Sequence, residues 1–486
     1  MDSTYLKDMF IDEVKAALTR HSSSGPVVKD TRIRDIIENT VTDITIPDDI
    51  TKLRNSLFLG RTNLNNVTFP ESITSISNSA FSGCTNLALT ELPDWITSIG
   101  GGAFSGCTNL ALTELPAGLT MINGNTFTNC TNLALTELPK GITKIDSNAF
   151  SGCTNLALTE LPERTSYIAS YAFQNCPKVA FTELPANMTS IEMQTFRNCT
   201  NLALTELPAR ITTIWDQAFY GCTNLALTSL PTTLREIKKS VFSGCTSLAL
   251  TKLPDTLTKI GYNAFSGCTN LALTELPEGI TNIEGSTFQS CGNLALTKLP
   301  AGLTSIDYYA FDGCTNLALT ELPAGLTSIN YYAFSRCTNL ALTKLPDTLT
   351  TIGSYAFLDC PNLVLTELPA GLTSIGTNAF GGCTSLALTK LPAGLTSINS
   401  WAFQKCTNLK SITIPAGINL SYTNNLFDGC TGLTSVTFEG NVSGINKSCF
   451  ANCTNLKTIN VPWAAGVISG APWGATNATI NYNYTE

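Results

Sequence analysis

The chain has 486 residues, 43% of them hydrophobic and only 13% charged, a balance that supplies a large core and excludes an intrinsically disordered polymer. Its net charge of −8, with no stripe of Lys and Arg, argues against a nucleic-acid surface. No apolar run approaches the roughly 18 residues that a membrane span needs.

The opening stretch, MDSTYLKDMFIDEVKAAL, carries charge throughout and lacks the apolar centre of a secretory leader, so either the chain is not exported by that route or its signal was removed ahead of residue 1. Leu6, Phe10, Val14 and Leu18 recur at i, i+4, with Met9, Ile11 and Ala17 beside them, which predicts an amphipathic helix over 4–20. HSSSGP ends it, and TRIRDIIENT predicts a second short helix over 31–40. The first helix is expected either to fold back as a cap over the start of the chain's central region, or to anchor the chain on a larger assembly or on copies of itself.

From residue 41 the sequence becomes periodic. Phenylalanines stand every 23 residues from Phe58 to Phe403, and Phe427 and Phe450 follow after one step of 24, giving eighteen units. A fixed period of this length predicts a solenoid in which each unit is one turn and stacking makes a continuous core. Cysteines keep the same beat: fifteen run from Cys84 to Cys406 at intervals of 23, Cys430 and Cys453 continue the column, and Cys449 is left over. Zinc would need clustered pairs such as C-x-x-C, so one thiol per turn reads as a buried, reduced column and favours a reducing assembly site. Arg61 takes the cysteine place in the first unit.

The terminal rungs LNNVTFP, LKSITIP and LKTINVP follow L-x-x-[I/V]-x-[I/V/F], but fourteen internal rungs read LALTELP or close variants. In the ordinary register the third-position residues Leu89, Leu112, Leu135, Leu158, Phe181, Leu204, Leu227 and onward to Leu388 would face outward as an apolar stripe fit for an interface. A local shift would turn them into the core, and we adopt that alternative because fourteen exposed rungs would make the molecule sticky. The adjacent column is acidic at Glu91, Glu114, Glu137, Glu160, Glu183 and Glu206, then alternates from Lys252 to Lys390. It reads as a solvated face with an acidic ridge followed by a charge-balanced ladder. A calcium ion or a basic partner on the ridge lacks a compact carboxylate loop to support it, and no metal site is expected.

Variation gathers in the three residues after each repeat isoleucine, which read GGG, NGN, DSN, ASY, EMQ, WDQ, KKS, GYN, EGS, DYY, NYY, GSY, GTN and NSW from residue 100 onward. A constant scaffold with variable tips is how repeat proteins encode recognition. The aromatic members Tyr262, Tyr308, Tyr309, Tyr331, Tyr332, Tyr355 and Trp401 are the candidate ligand-binding residues, suited to a protein hot spot or to a sugar ring, with 309, 332, 355 and 401 sharing one column. After the last repeat, VPWAAGVISGAPWGATNATINYNYTE predicts a cap in which Trp463 and Trp473 cover the final rung.

The order L-x-x-I-x-x-x-A-F-x-x-C-x-x-L, as in ITSIGGGAFSGCTNL at residues 96–110 with Ile96 in the first place, resembles the BspA-type leucine-rich repeat over about residues 43–462. The resemblance implies a non-enzymatic protein- or matrix-binding solenoid of the kind found in adhesins and surface proteins. The C-terminal segment is similar to the closing segment of repeat proteins encoded in phage and prophage structural regions. That second resemblance implies a virion component assembled in bacterial cytoplasm and serving host attachment.

Catalysis finds no foothold. The lone His21 sits beside the linker, and no Walker-type, dinucleotide, H-E-x-x-H or G-x-S-x-G motif occurs. The expectation is a leucine-rich repeat solenoid, a curved right-handed rod of about eighteen 23-residue turns with one main parallel β-sheet. Residues 1–40 are its helical anchor or cap and linker, 41–462 the solenoid and 463–486 a β-rich cap. Its expected partners are a protein or a surface glycan, with self-association or virion attachment through the N-terminus, no nucleic acid and no cofactor. The virion is placed first and the cell surface second; a purely architectural spacer or lattice subunit is the third reading.

Overall fold

A computed structural model describes residues 42–46, 48 and 50–485. The helices expected over 4–20 and 31–40, including Leu6, Phe10, Val14 and Leu18, lie outside those residues. Among the described residues no helix is long and apolar enough to cross a membrane. The chain divides into two compact units, Met1–Ala226 and Leu227–Glu486. Each is a parallel β-solenoid with about 23 residues per turn.

In the first unit, Asp43–Thr45 pairs in parallel with Asn66–Thr68. Two-residue strands then recur from Ser75–Ile76 and Ser98–Ile99 to Thr213–Ile214, and where two of them pair the isoleucine lies beside its counterpart 23 residues on, as Ile122 beside Ile145 and Ile145 beside Ile168. The second unit repeats this from Glu236–Ile237 to Ser397–Ile398. It then builds a wider parallel sheet from Ser411–Ile414, Ser435–Phe438, Thr458–Asn460 and Thr479–Asn481. The strands pair as separate parallel sheets of two to six strands, in place of one unbroken ladder.

The break in the ladder has its cause in the LALTELP rung. In the terminal rung Leu409, Ile412 and Ile414 are buried, so two outward residues follow the leucine and regular alternation comes after. In an internal rung Leu87, Leu89 and Leu92 are buried: alternation comes first, and Thr90 and Glu91 both bulge outward. The outward pair moves by two residues along the rung and flips the third-position side chain inward. Leu112, Leu135, Leu158, Phe181, Leu204, Leu250 and Leu273 are accordingly sealed from solvent. No exposed leucine stripe exists, and with it goes the interface the ordinary register would have offered. The internal rungs keep only one or two such links per step, such as Ala111 N to Leu89 O at 3.0 Å, and in these turns regular strand forms on the S-I step.

Opposite this face the phenylalanines form the spine. From Phe58 to Phe219 in the first unit their ring centroids lie 5.2–5.8 Å apart with planes within 12°. From Phe242 to Phe450 in the second they lie 5.4–5.7 Å apart within the same angle. Within each unit the turns are tied to one another by backbone bonds such as Phe81 N to Ala103 O at 2.8 Å and Phe311 N to Ala333 O at 2.9 Å.

All eighteen cysteines are free and buried. Their constancy has a polar reason as well as an apolar one. Within each unit the column thiol donates to the carbonyl of the phenylalanine one turn back, as Cys107 Sγ to Phe81 O at 3.0 Å and Cys268 Sγ to Phe242 O at 3.0 Å. Burial pushes these thiols up: Cys84 to about 11, with Arg61 pulling it partly back, Cys176 to about 12, and Cys153 and Cys268 well above their ordinary value. Beyond residue 462, Trp473 is fully buried and Trp463 nearly so. Both pack on Phe438, at 6.4 and 5.3 Å, and Phe450 N donates to Trp473 O, so this segment closes the last rung of the second unit.

Candidate functional site

The variable triplets follow the S-I strands, and their third residue is held in the left-handed backbone region. Ser79, Asn125, Asn148, Asn263 and Asn378 adopt it with φ between 53 and 58°, residues that accept it readily. Tyr309, Tyr332, Tyr355 and Trp401 adopt it too, with φ of 54, 53, 60 and 58°. For bulky side chains that conformation costs about 1–2 kcal/mol each. The turn imposes it, because the amide must point at the next turn: Tyr332 N donates to Ser354 O at 3.0 Å and Tyr355 N to Thr377 O at 2.7 Å.

The structure brings six of the seven candidate aromatics together in the second unit. Tyr309, Tyr332 and Tyr355 stack face to face, with centroids 4.9 and 4.5 Å apart and planes within 7°. Tyr331 stands perpendicular beside this row, 4.3 Å from Tyr332, 5.4 Å from Tyr309 and 5.7 Å from Tyr355. Tyr308 meets Tyr309 at 85° and tilts toward Tyr262 at 6.1 Å. Gly285 lies in the turn between Tyr262 and Tyr308, where a Cβ would come within 2.9 Å of the Tyr308 ring, so glycine is what lets the two rings approach. Among the described residues no ring contact joins Trp401 to this group, and Asn378 interrupts the column between Tyr355 and Trp401.

The polar surroundings are internally balanced. Asp312 is buried and takes both a forked contact from Arg336, at 2.7 and 2.9 Å through Nη2, and a bond from Gln289. Asp307 accepts from Tyr308 N at 2.8 Å and from Asn330 Nδ2 at 3.3 Å. Glu284 accepts from Tyr262 N at 2.7 Å and faces Lys259 at 3.3 Å, while Lys239 lies over the Tyr262 ring at 5.7 Å. Burial against the neighbouring rings, and next the Tyr331 hydroxyl, push Tyr332 up to about 12, and burial raises Tyr309 likewise. Both phenols are therefore neutral at physiological pH.

Asp312 and Arg336 were not among the sequence candidates. Their signal was present in FDGC and FSRC, where an acid and a base replace the Ser and Gly of the usual FSGC. In the first unit the triplets GGG and NGN leave a shallow polar depression lined by Ser79, Ser82, Gly101, Gly102, Ser105 and Asn125. The six ridge glutamates Glu91, Glu114, Glu137, Glu160, Glu183 and Glu206 are all exposed, and among the described residues none makes an ion pair. In the balanced ladder Lys252 reaches Glu275 at 4.0 Å but lies nearer Asp255 of its own turn at 3.3 Å, just as Lys344 pairs with Asp347 of its own turn at 3.1 Å. Among the described residues no cluster of His, Cys, Asp and Glu could hold a metal ion.

The BspA type leucine rich repeat region matches residues 38–157, 120–249, 235–364 and 352–470. The chain belongs to the BspA-type leucine-rich repeat family. Among solved structures it is similar to a leucine-rich repeat protein from Bacteroides ovatus, at 20% identity over 90% of this chain and 91% of that one with a TM-score of 0.42. It is also similar to a leucine rich cell surface protein from Faecalibacterium prausnitzii, at 24% identity over 90% and 92% of the two chains with a TM-score of 0.33. A third likeness is the pneumococcal vaccine antigen PcpA, at 17% identity over 91% and 89% with a TM-score of 0.37. No curated protein matches this sequence. As a BspA-type repeat protein the chain is of a kind that generally binds and does not catalyse.

Proposed function

We propose that this BspA-type protein is a non-enzymatic adhesin whose recognition face is the triplet column of the second unit, centred on Tyr308, Tyr309, Tyr331, Tyr332 and Tyr355. The observation that carries the reading is the strained backbone of Tyr309, Tyr332 and Tyr355. Asparagine or glycine fills the same place in other turns at little cost, so a run of three tyrosines there sets stability aside for what the rings do at the surface. Family membership supports a cell-surface setting, which we rank first. The likeness of the C-terminal segment to phage-borne repeat proteins and the free, buried thiol column support the virion setting, and residues 1–40 are the proposed anchor in either.

The test is retention of the labelled full chain on intact bacterial cells and on mucin- and matrix-coated plates. The double substitution Tyr308→Ala with Tyr331→Ala should lower retention about tenfold, as loss of an aromatic hot spot does. Unchanged retention would remove the face from consideration. Fractionation of the producing cell separates the settings, since a surface adhesin stays with the envelope and a virion part leaves with particles.

A further inference from the structure

We infer that Tyr308 and Tyr331 form a flat platform for a neutral pyranose chain, with Asp307 and Asn330 as hydrogen-bonding groups at its edge. The inference rests on the proposed recognition face and names what that face takes.

The orientation of Tyr331 follows from three distances. It stands nearest the middle ring of the Tyr309–Tyr332–Tyr355 stack and nearly equidistant from the other two, always at 80–86°. A ring abutting one end of the stack would touch only the end member. Two rings set edge to edge hold their centres farther apart than the 4.3 Å between Tyr331 and Tyr332. Tyr331 therefore lays one face across the edges of the three stacked rings, and its other face is what makes it 42% exposed. Tyr308, perpendicular to Tyr309 and also 42% exposed, lies beside it one turn earlier. Gly285 on one side and Ser354 on the other end the row with small residues.

Tyr332 spends both faces in the stack and Tyr309 and Tyr355 one each, so the rings that chiefly offer a π-face outward are Tyr331 and its exposed neighbour Tyr308. Such a face carries negative charge density. It matches the weakly positive C–H face of a sugar whose hydroxyls project sideways, and a pyranose unit is about as long as one turn of the solenoid is high. Charge argues for a neutral ligand. Asp312 is matched by Arg336 and Glu284 by Lys259, Lys239 already occupies the Tyr262 ring, and Asp307, which makes no ion pair among the described residues, would repel an anionic chain while accepting from sugar hydroxyls. Asp307 and Asn330 are joined to each other and half-buried, and since Asn330 Nδ2 donates to both Ile306 O and Asp307 Oδ1, the two side chains offer acceptor lone pairs to sugar hydroxyls at the platform's rim.

The test is affinity gel electrophoresis of the full chain through gels containing soluble barley β-glucan, galactomannan or xylan, with polygalacturonate as the charged counterpart. At least one neutral polysaccharide should retard the protein. Tyr331→Ala should weaken that retardation about tenfold, while Tyr331→Phe, which keeps the ring face, and Tyr422→Ala, which lies outside the site, should not. Retardation by polygalacturonate alone, by none of the four, or equally in wild type and Tyr331→Ala overturns the inference. If no polysaccharide retards the chain but the Tyr308→Ala, Tyr331→Ala pair still loses surface retention, the face binds protein and the adhesin reading stands. If retention is unchanged as well, both fall.

Discussion

Lys405 holds φ of 56° at the place where Gly83, Gly106 and Gly382 serve in other turns, and its side chain is exposed. Nothing in its surroundings offsets the strain of a Cβ in that region, whereas glycine loses more freedom on folding. The difference favours glycine, so Lys405→Gly should raise stability by about 0.5–1 kcal/mol in urea denaturation of the full chain. Tyr332 carries the same strain but has ring partners on both sides, each contact contributing about 0.5–1.5 kcal/mol beyond burial. Two such contacts about offset the strain, so Tyr332→Gly should leave stability within about 1 kcal/mol in the same measurement. A large loss there would mean that the tyrosines are kept for stability, and the functional argument from strain would lose its basis.

The rung is the element whose register decides the core. Leu273 is fully buried and Thr274, next to it, is exposed. Leu273→Ala should destabilise the chain by about 2–5 kcal/mol, the range for emptying a packed leucine site. Thr274→Ala should stay within about 0.5 kcal/mol. The reverse order would restore the ordinary register and return the leucines to the surface. The repeat itself was legible in the sequence, because Phe and Cys keep one beat and like residues at one period stack on themselves. The placement of regular strand was not: LALTELP fits two registers, and the choice between them rests on which side chains close against the Phe spine, not on any single residue.

At the scale of the molecule the thiol columns set the alkaline limit. In sixteen cysteines burial raises the pKa above its ordinary value of 9.0, so near and above pH 9 the unfolded chain sheds protons that the folded chain keeps. The stability this lends is present below that value and is lost as pH rises beyond it. Thermal melts should hold steady from pH 7 to 8.5 and fall steeply above about pH 9, more steeply than in a variant with several column cysteines replaced by alanine. For the same reason the folded chain should resist iodoacetamide at pH 8, with Cys84, pushed only to about 11, the first to react. Early labelling of interior cysteines would contradict the buried column. The N-terminal anchor is tested at this scale too. If residues 1–40 mediate self-association, light scattering should show an oligomer for the intact chain and a monomer for one beginning at Val41.

Period, family and the reduced thiol column followed from the sequence alone, because eighteen near-identical units can bury their apolar faces only by stacking. The candidate tyrosines were also legible, as departures within a constant frame. What only the tertiary structure decided was how they meet: Tyr309, Tyr332 and Tyr355 edge-on in a left-handed column, Tyr331 flat across them, Gly285 making room and Trp401 left apart. It likewise moved the bulge onto Thr90 and Glu91, joined Asp312 to Arg336 and divided the chain after Ala226. The physical reason is that a side chain's direction depends on the backbone dihedral and register of its own turn and on the neighbours 23 residues to either side. Those quantities are fixed only when all the turns are packed.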